Sequence, residues 1–108
     1  MAITTRMKSD VYSTSGLGGQ NFVITIDAVT PDQAIIHPVH LRPLGGRTTI
    51  ELHNSGGEDC YIYFLGSTPT NGRILGAGQY VAFALADSSV LYAQASATTV
   101  DLRVTEII

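Results

Sequence analysis

The sequence predicts an all-β protein, an antiparallel β-sandwich of the jelly-roll or immunoglobulin-like kind, and three observations support this prediction. Apolar and polar residues alternate in short runs, as they do along strands that bury one face. Clusters of turn-forming residues separate these runs at intervals of roughly 8–12 residues. No window keeps a helical period over about three turns. About seven short strands in this arrangement are typical of a sandwich with one core.

The length and composition predict one domain preceded by an arm. A chain of 108 residues buries roughly two-thirds of its unfolded surface but does not support two cores. Residues 1–20 are rich in Ser, Thr and Gly, and such a segment buries too little apolar area to offset the entropy of ordering it alone. We therefore expect an extended N-terminal arm over residues 1–20 and a single sandwich domain over residues 21–108.

The arm carries three apolar residues, Val11, Tyr12 and Leu17, that are candidates for contact with a neighbouring subunit. In this interpretation the arm becomes ordered when it binds that subunit. The alternative is a frayed terminus without a role.

Five alternating runs define the clearest predicted strands. The residues that share one face in each run are Phe22, Ile24 and Ile26; Ile50 and Leu52; Val81, Phe83 and Leu85; Leu91, Ala93 and Ala95; and Val100, Leu102 and Val104. Of these, Ile50, Leu52 and the last three are expected to point inward. Between the first two runs, Pro38 and Pro43 each lack a backbone donor for a ladder. The segment over residues 34–44 is therefore expected at a sheet edge or in a crossing loop.

The run over residues 60–65 is the predicted centre of the fold. It is β-branched and aromatic on both faces, which is typical of a strand in the middle of a sheet. The polar turn over residues 54–59 is expected to join it to the preceding strand as an antiparallel hairpin. After it, Pro69 and the Asn71-Gly72 pair force a turn. The sequence thus predicts a rigid exposed loop, with Thr68, Pro69, Asn71 and Arg73 as its candidate contact residues.

The charge balance limits the classes of partner. Charged residues make up 14% of the chain, against about 25% in soluble domains, so part of the surface is expected to be covered by another protein. The net charge is −3 and the six Lys and Arg are scattered, so no nucleic-acid partner is expected. Since there is neither a secretory leader pattern nor a run of about eighteen apolar residues, we expect no membrane contact and a soluble protein made in a cytoplasm.

No enzyme, metal or cofactor is predicted. The single cysteine, Cys60, is expected to act as a small buried hydrophobe. His37 and His40 form an H-x-x-H pair near the strand of His53, but residues three apart on a strand point to opposite faces. No Gly-x-Ser-x-Gly elbow occurs, and no Lys-Ser/Thr follows the glycines of residues 16–19.

The acidic residues that are candidates for acid–base chemistry are expected to be solvated, in turns or on the wet faces of strands. None is expected in the apolar surroundings that would raise its pKa, as general acid catalysis requires. These residues are Asp27, Glu51, Glu58, Asp59, Asp87, Asp101 and Glu106.

Four tyrosines, Tyr61, Tyr63, Tyr80 and Tyr92, are the other candidates for a contact surface. Tyrosine has a large rigid face and a polar tip, which suits an interface. The alternative is ordinary half-buried packing between strands.

Four motifs in the second half of the chain resemble small β-sandwich structural proteins of tailed bacteriophages. They are the strand over residues 60–66, the N-G-x-x-L-x-x-G loop over residues 71–78, the L-Y-A strand over residues 90–93 and the terminal R-V strand over residues 101–104. They occur in the order in which they recur in that group, and the match covers about residues 48–106. The chain departs from the pattern in the bulkier Phe64-Leu65 pair before Gly66.

The resemblance implies a virion protein. Its most direct form is a capsid decoration or cement protein on the outside of the phage head, often a homotrimer, with the major capsid protein as its partner. The alternative is a receptor- or carbohydrate-binding knob of a tail or head fibre, in which the loop over residues 68–73 holds the ligand.

Overall fold

The structure, a computed structural model, describes residues 18–108, and this part of the chain is all β. It contains eight strands and one short 3-10 helix, Pro69–Asn71. The strands are β1 Gly19–Asp27, β2 Gln33–Ala34, β3 Thr49–Asn54, β4 Cys60–Phe64, β5 Arg73–Leu75, β6 Tyr80–Ala84, β7 Leu91–Ala95 and β8 Thr99–Ile107.

Two antiparallel sheets of four strands form a β-sandwich, which confirms the predicted fold class. The first sheet has the strand order β1-β8-β3-β6, and the second has the order β2-β7-β4-β5. The inner faces of both sheets contribute to one apolar core. Its fully buried members include Ile35, Ile50, Leu52, Cys60, Ala93 and Leu102.

The predicted alternation is confirmed in the strands that have neighbours on both sides. In β8, Val100, Leu102 and Val104 are at most 1% exposed. In β6 the apolar residues Val81 and Phe83 are only half-buried. The reason is that β6 lies at the edge of the first sheet. The short strand β2 is likewise an edge strand, as the prolines after it indicate.

The predicted hairpin between β3 and β4 is wrong. Strand β3 pairs with β6 and β8, whereas β4 pairs with β5 and β7 in the other sheet. The turn between them carries the chain across the sandwich, and the buried side chain of Asn54 supports this crossing. The Asn54 amide donates to the carbonyl oxygens of Glu58 and Leu75 at 2.8 and 2.9 Å, and its Oδ1 accepts from the backbone N–H of Gly56.

The domain begins two residues earlier than predicted. Gly19 and Gln20, assigned to the arm, belong to β1, and Gln20 Nε2 donates to Glu106 Oε1 at 2.7 Å. The arm residues Val11, Tyr12 and Leu17 lie outside the described residues.

The expectation that the candidate acidic residues are solvated is wrong for Glu106. Its side chain is fully buried and pairs with the equally buried Arg47 at 2.7 Å. The backbone N–H of Leu44 also donates to Glu106, at 3.1 Å. Glu106 continues the inward alternation of β8 and so occupies a core position. Only a buried partner of opposite charge can neutralise a carboxylate there.

Candidate functional site

Strands β5 and β6 are edge strands of different sheets, and the chain runs directly from one to the other. The turn that joins them is tight, because the backbone N–H of Gln79 donates to the carbonyl oxygen of Gly76 at 2.9 Å. Away from this turn the two edges leave an open groove of about 310 Å³, which we call the edge groove. The side chains that line it include Ile62, Phe64, Asn71, Arg73, Phe83 and Leu85.

The floor of the edge groove is apolar and its rim carries one charge. Phe83 and Leu85 are half-buried hydrophobes that pack against the core. Arg73 pairs with Ile62 in the β5–β4 register, so its side chain points to the inner side of the sheet. Its guanidinium carbon lies 5.7 Å from the centre of the Phe83 ring, within range of a cation–π contact.

Two large apolar side chains extend this surface. Phe64 ends β4 at the mouth of the groove and is 54% exposed, and the next residue, Leu65, is 63% exposed. Neighbouring exposed hydrophobes beside a groove are typical of an interaction surface. Because β5 and β6 each have a free edge within residues 18–108, unpaired backbone groups of this part of the chain border the same surface.

The predicted loop becomes part of the wall of the edge groove. A 3-10 turn shapes it, in which the backbone N–H groups of Asn71 and Gly72 donate to Thr68 and Pro69. Thr68, Asn71 and Arg73 are exposed as expected, and Pro69 is half-buried. A Cβ atom at Gly72 would meet the carbonyl oxygen of Ile62, so the turn can lie this close to β4 only with glycine there.

The four candidate tyrosines lie on two different faces. Tyr61, Tyr63 and Tyr92 share the outer face of the second sheet, whereas Tyr80 lies on the outer face of the first. Tyr61 and Tyr92 are half-buried. Tyr80 is 73% exposed.

Tyr63 is bound within the domain. It is 4% exposed, and its hydroxyl donates to Asp32 Oδ1 at 3.1 Å. Burial, aided by this hydrogen bond, raises the pKa of the phenol. The ring therefore has almost no surface to offer a partner, and the interpretation as strand packing fits it better than the predicted interface role.

A second depression, of about 390 Å³, lies on the outer face of the first sheet. We call it the concave face. The side chains that line it include Asn21, Glu51, His53, Tyr80, Arg103 and Thr105. Sequence reasoning named only Tyr80 as a contact residue among these, because the set comes from four strands that are distant in the chain.

His37, His40 and Cys60 contact other groups within the domain. The rings of His37 and His40 stack at 4.3 Å, and Nδ1 of His37 accepts from the backbone N–H of Val39 at 3.1 Å. Burial and the neighbouring His40 lower the pKa of His37. Within residues 18–108, no group of three His, Cys, Asp or Glu is placed to hold a metal ion. Cys60 is buried in the core, which raises the pKa of its thiol to about 12.

Comparison of the sequence with protein families and with curated proteins gives no match. No protein-family model matches the chain, and no curated protein matches its sequence. None of the helices in residues 18–108 has the length and hydropathy needed to cross a membrane.

Proposed function

We propose that the chain is a structural protein of a tailed-bacteriophage virion, a capsid decoration protein that binds the outside of the head and stabilises the lattice of the major capsid protein. The edge groove carries the protein-binding part of this proposal. It combines an apolar floor with the free edges of two strands, which offers both hydrophobic area and backbone hydrogen bonds to an extended segment of a partner.

The phage part of the proposal rests on the resemblance. The motifs over residues 60–66 and 71–78 include β4, the end of the 3-10 turn and β5, which form one side of the edge groove. The motif over residues 90–93 begins β7, the strand that supports β4 from its other side. Three of the four motifs that carry the resemblance therefore build or support the surface that we assign to binding, and the fourth lies in β8 of the other sheet.

A decoration protein works through many copies of a modest contact. Each copy can bind weakly, because the lattice gains when one molecule ties several capsid subunits together. Phe64 and Leu65 are the exposed apolar side chains best placed to enter such a contact. In this proposal the rest of the sandwich is a scaffold, and no chemistry is required of it.

We propose a homotrimer as the assembled form. A heterologous interface repeated around a three-fold axis closes the ring and covers strand edges that would otherwise aggregate. The half-buried Tyr61 and Tyr92, with Ile74 58% exposed beside Tyr61, form an apolar face of the second sheet that suits this interface. Light scattering at micromolar concentration should give three times the chain mass, and a monomer mass would contradict a preformed trimer.

A receptor- or carbohydrate-binding knob is the alternative. Its ligand was expected at the loop over residues 68–73. Since Asn71 and Arg73 line an apolar groove between strand edges, this loop favours a polypeptide segment over a sugar.

Rebinding to bare heads tests the proposed contact. Particles lacking the protein are mixed with purified chain, and the bound amount is measured after sedimentation. Phe64→Asp should reduce binding at least about tenfold, because it places a charge in an apolar contact. The control is Val29→Asp, in a residue 86% exposed between β1 and β2, on the opposite edge of the sandwich. Equal binding by both variants, with native circular dichroism spectra, would remove the edge groove from the contact.

A further inference from the structure

The concave face is built from transverse rows of side chains. The strand register places Val23, Arg103, His53 and Tyr80 in one row across β1, β8, β3 and β6. The same register places Asn21, Thr105 and Glu51 in the next row. Cross-strand neighbours on one face lie roughly 5 Å apart, so these side chains converge on a single depression of about 390 Å³.

Tyr80 provides an aromatic surface in a fixed orientation. Its ring is parallel to the His53 ring, with an interplanar angle of 5° and 4.1 Å between the centroids. His53 covers one face of the Tyr80 ring, yet the residue is still 73% exposed, so the other face is open. A ring held by stacking loses little conformational entropy when a ligand packs on it.

Polar groups complete the site beside this ring. Thr105 Oγ1 donates to Asn21 Oδ1 at 2.7 Å, which leaves the amide N–H groups of Asn21 able to donate. Glu51 offers a carboxylate acceptor and Arg103 a guanidinium donor, and both are exposed. Within residues 18–108 the one ion pair joins Arg47 and Glu106, so neither Glu51 nor Arg103 forms an ion pair there.

The arrangement of these groups selects a class of ligand. An open aromatic face packs against the C–H groups of a sugar ring, and donors and acceptors beside it bind hydroxyl groups. One cation and one anion in the same depression balance each other, which favours a neutral ligand over a charged one. The depression also falls within the roughly 300–1,000 Å³ of small-molecule sites.

We propose that the concave face is a binding site for neutral oligosaccharides, with Tyr80 as the stacking residue and Glu51, Arg103 and Asn21 as hydrogen-bond partners. This function goes beyond capsid binding. Tyr80 points outward from β6, whereas Phe83 of the same strand faces the edge groove. The two surfaces are therefore on opposite faces of β6, and both can be occupied at once.

The test uses the full chain and an immobilised panel of neutral di- to tetrasaccharides of hexoses and N-acetylhexosamines, with acidic oligosaccharides as the comparison class. We expect binding to members of the neutral set, followed by titration calorimetry with the best of them. Tyr80→Ala should weaken binding at least about tenfold because the stacking surface is lost, and Tyr80→Phe should keep it. The control, Val29→Ala, changes a residue that is 86% exposed and lies outside the concave face, and it should bind normally.

Three results would overturn the proposal: no binding to any neutral member, stronger binding to the acidic set, or equal binding by Tyr80→Ala and the native chain. Tyr80→Ala should still attach to bare phage heads as well as the native chain does. A failure of the oligosaccharide site is therefore separate from a failure of the capsid-binding function.

Discussion

The Nη1 atom of Arg47 lies 2.7 Å from the Oε2 atom of Glu106, and both side chains are completely buried. Glu106 belongs to the central strand β8, and Arg47 precedes β3. The guanidinium also donates to three carbonyl oxygens of the segment after β6, those of Leu85, Ala86 and Ser89. The Arg47–Glu106 pair therefore holds the segment before β3 and the segment after β6 against the first sheet.

Breaking this pair should cost much of the stability of the domain. Glu106→Ala leaves the Arg47 charge buried without its partner, so we expect the free energy of unfolding to fall by about 3–5 kcal/mol. Glu106→Gln should cost less because its amide oxygen can still accept. Urea unfolding followed by circular dichroism measures both. The control is Glu51→Ala on the exposed face of β3, which should cost less than about 0.5 kcal/mol. Equal losses for Glu106→Ala and Glu51→Ala would contradict the prediction.

Glu58 should make stability depend on pH in the acid range. Its carboxylate accepts from the hydroxyl and backbone N–H of Thr98 and from the N–H of Ala97, and these bonds lower its pKa from 4.5 to about 2. Because the folded state binds the proton more weakly than the unfolded state, the contribution of Glu58 to stability is complete above about pH 4.5 and is lost as the pH falls towards about 2.

This dependence is tested by unfolding midpoints measured from about pH 6 down to about pH 2. That range spans both pKa values of Glu58, about 2 and 4.5. Glu58→Gln should flatten the fall in stability, since no carboxylate then titrates there. Asp59→Asn removes the same charge from the neighbouring residue and should leave the fall in place. The same steepness in Glu58→Gln and the native chain would assign the acid sensitivity to other groups.

The three phenylalanines differ in burial, so their substitution tests whether the edge groove is open. Phe22 is 8% exposed, Phe83 is half-buried and Phe64 is 54% exposed. Substitution by alanine should therefore cost about 3–5 kcal/mol at Phe22, about 2 kcal/mol at Phe83 and under about 1 kcal/mol at Phe64. Chemical denaturation of the three variants measures the series. A loss at Phe83 equal to that at Phe22 would mean that the groove is closed in solution.

Local alternation predicted the strands well where one face is buried and the other is wet. That condition holds for β3, β7 and β8, whose buried residues recur with period two. Strand β5 has only three residues, Arg73–Leu75, which is too short for an alternation to be seen. The predicted pairing of β4 with β3 is wrong because the composition of a turn does not show whether the chain returns to the same sheet or crosses to the other.

The sites depend on contacts that are distant in the sequence. Glu106 is an inward position by alternation, yet its partner Arg47 is 59 residues away, so no local pattern indicated a buried pair. The stack of His53 on Tyr80 likewise follows from the β3–β6 register. Pro69 and the Asn71-Gly72 pair predicted the exposed loop. The apolar groove beside it could not be predicted, because it forms between the edges of two sheets whose relative position is not seen in the sequence.

The arm is expected to act in binding and not in folding. Deletion should stop at residue 17, because Gly19 starts β1 and Gln20 contacts Glu106. A chain without residues 1–17 should unfold at the same denaturant concentration as the full chain but bind bare heads more weakly, since it has lost a segment able to span roughly 55 Å when extended. Equal binding by the two chains would leave the arm without a role in attachment.

The copy number and position of the protein in purified virions test the central claim most directly. Quantitative mass spectrometry against the major capsid protein, with cryo-electron microscopy of the same particles, gives both. Decoration of the lattice predicts on the order of hundreds of copies on the outer surface of the head, because stabilisation depends on many weak contacts. About a dozen copies or fewer, located on the tail or a fibre, would contradict the claim and support a receptor-binding part instead.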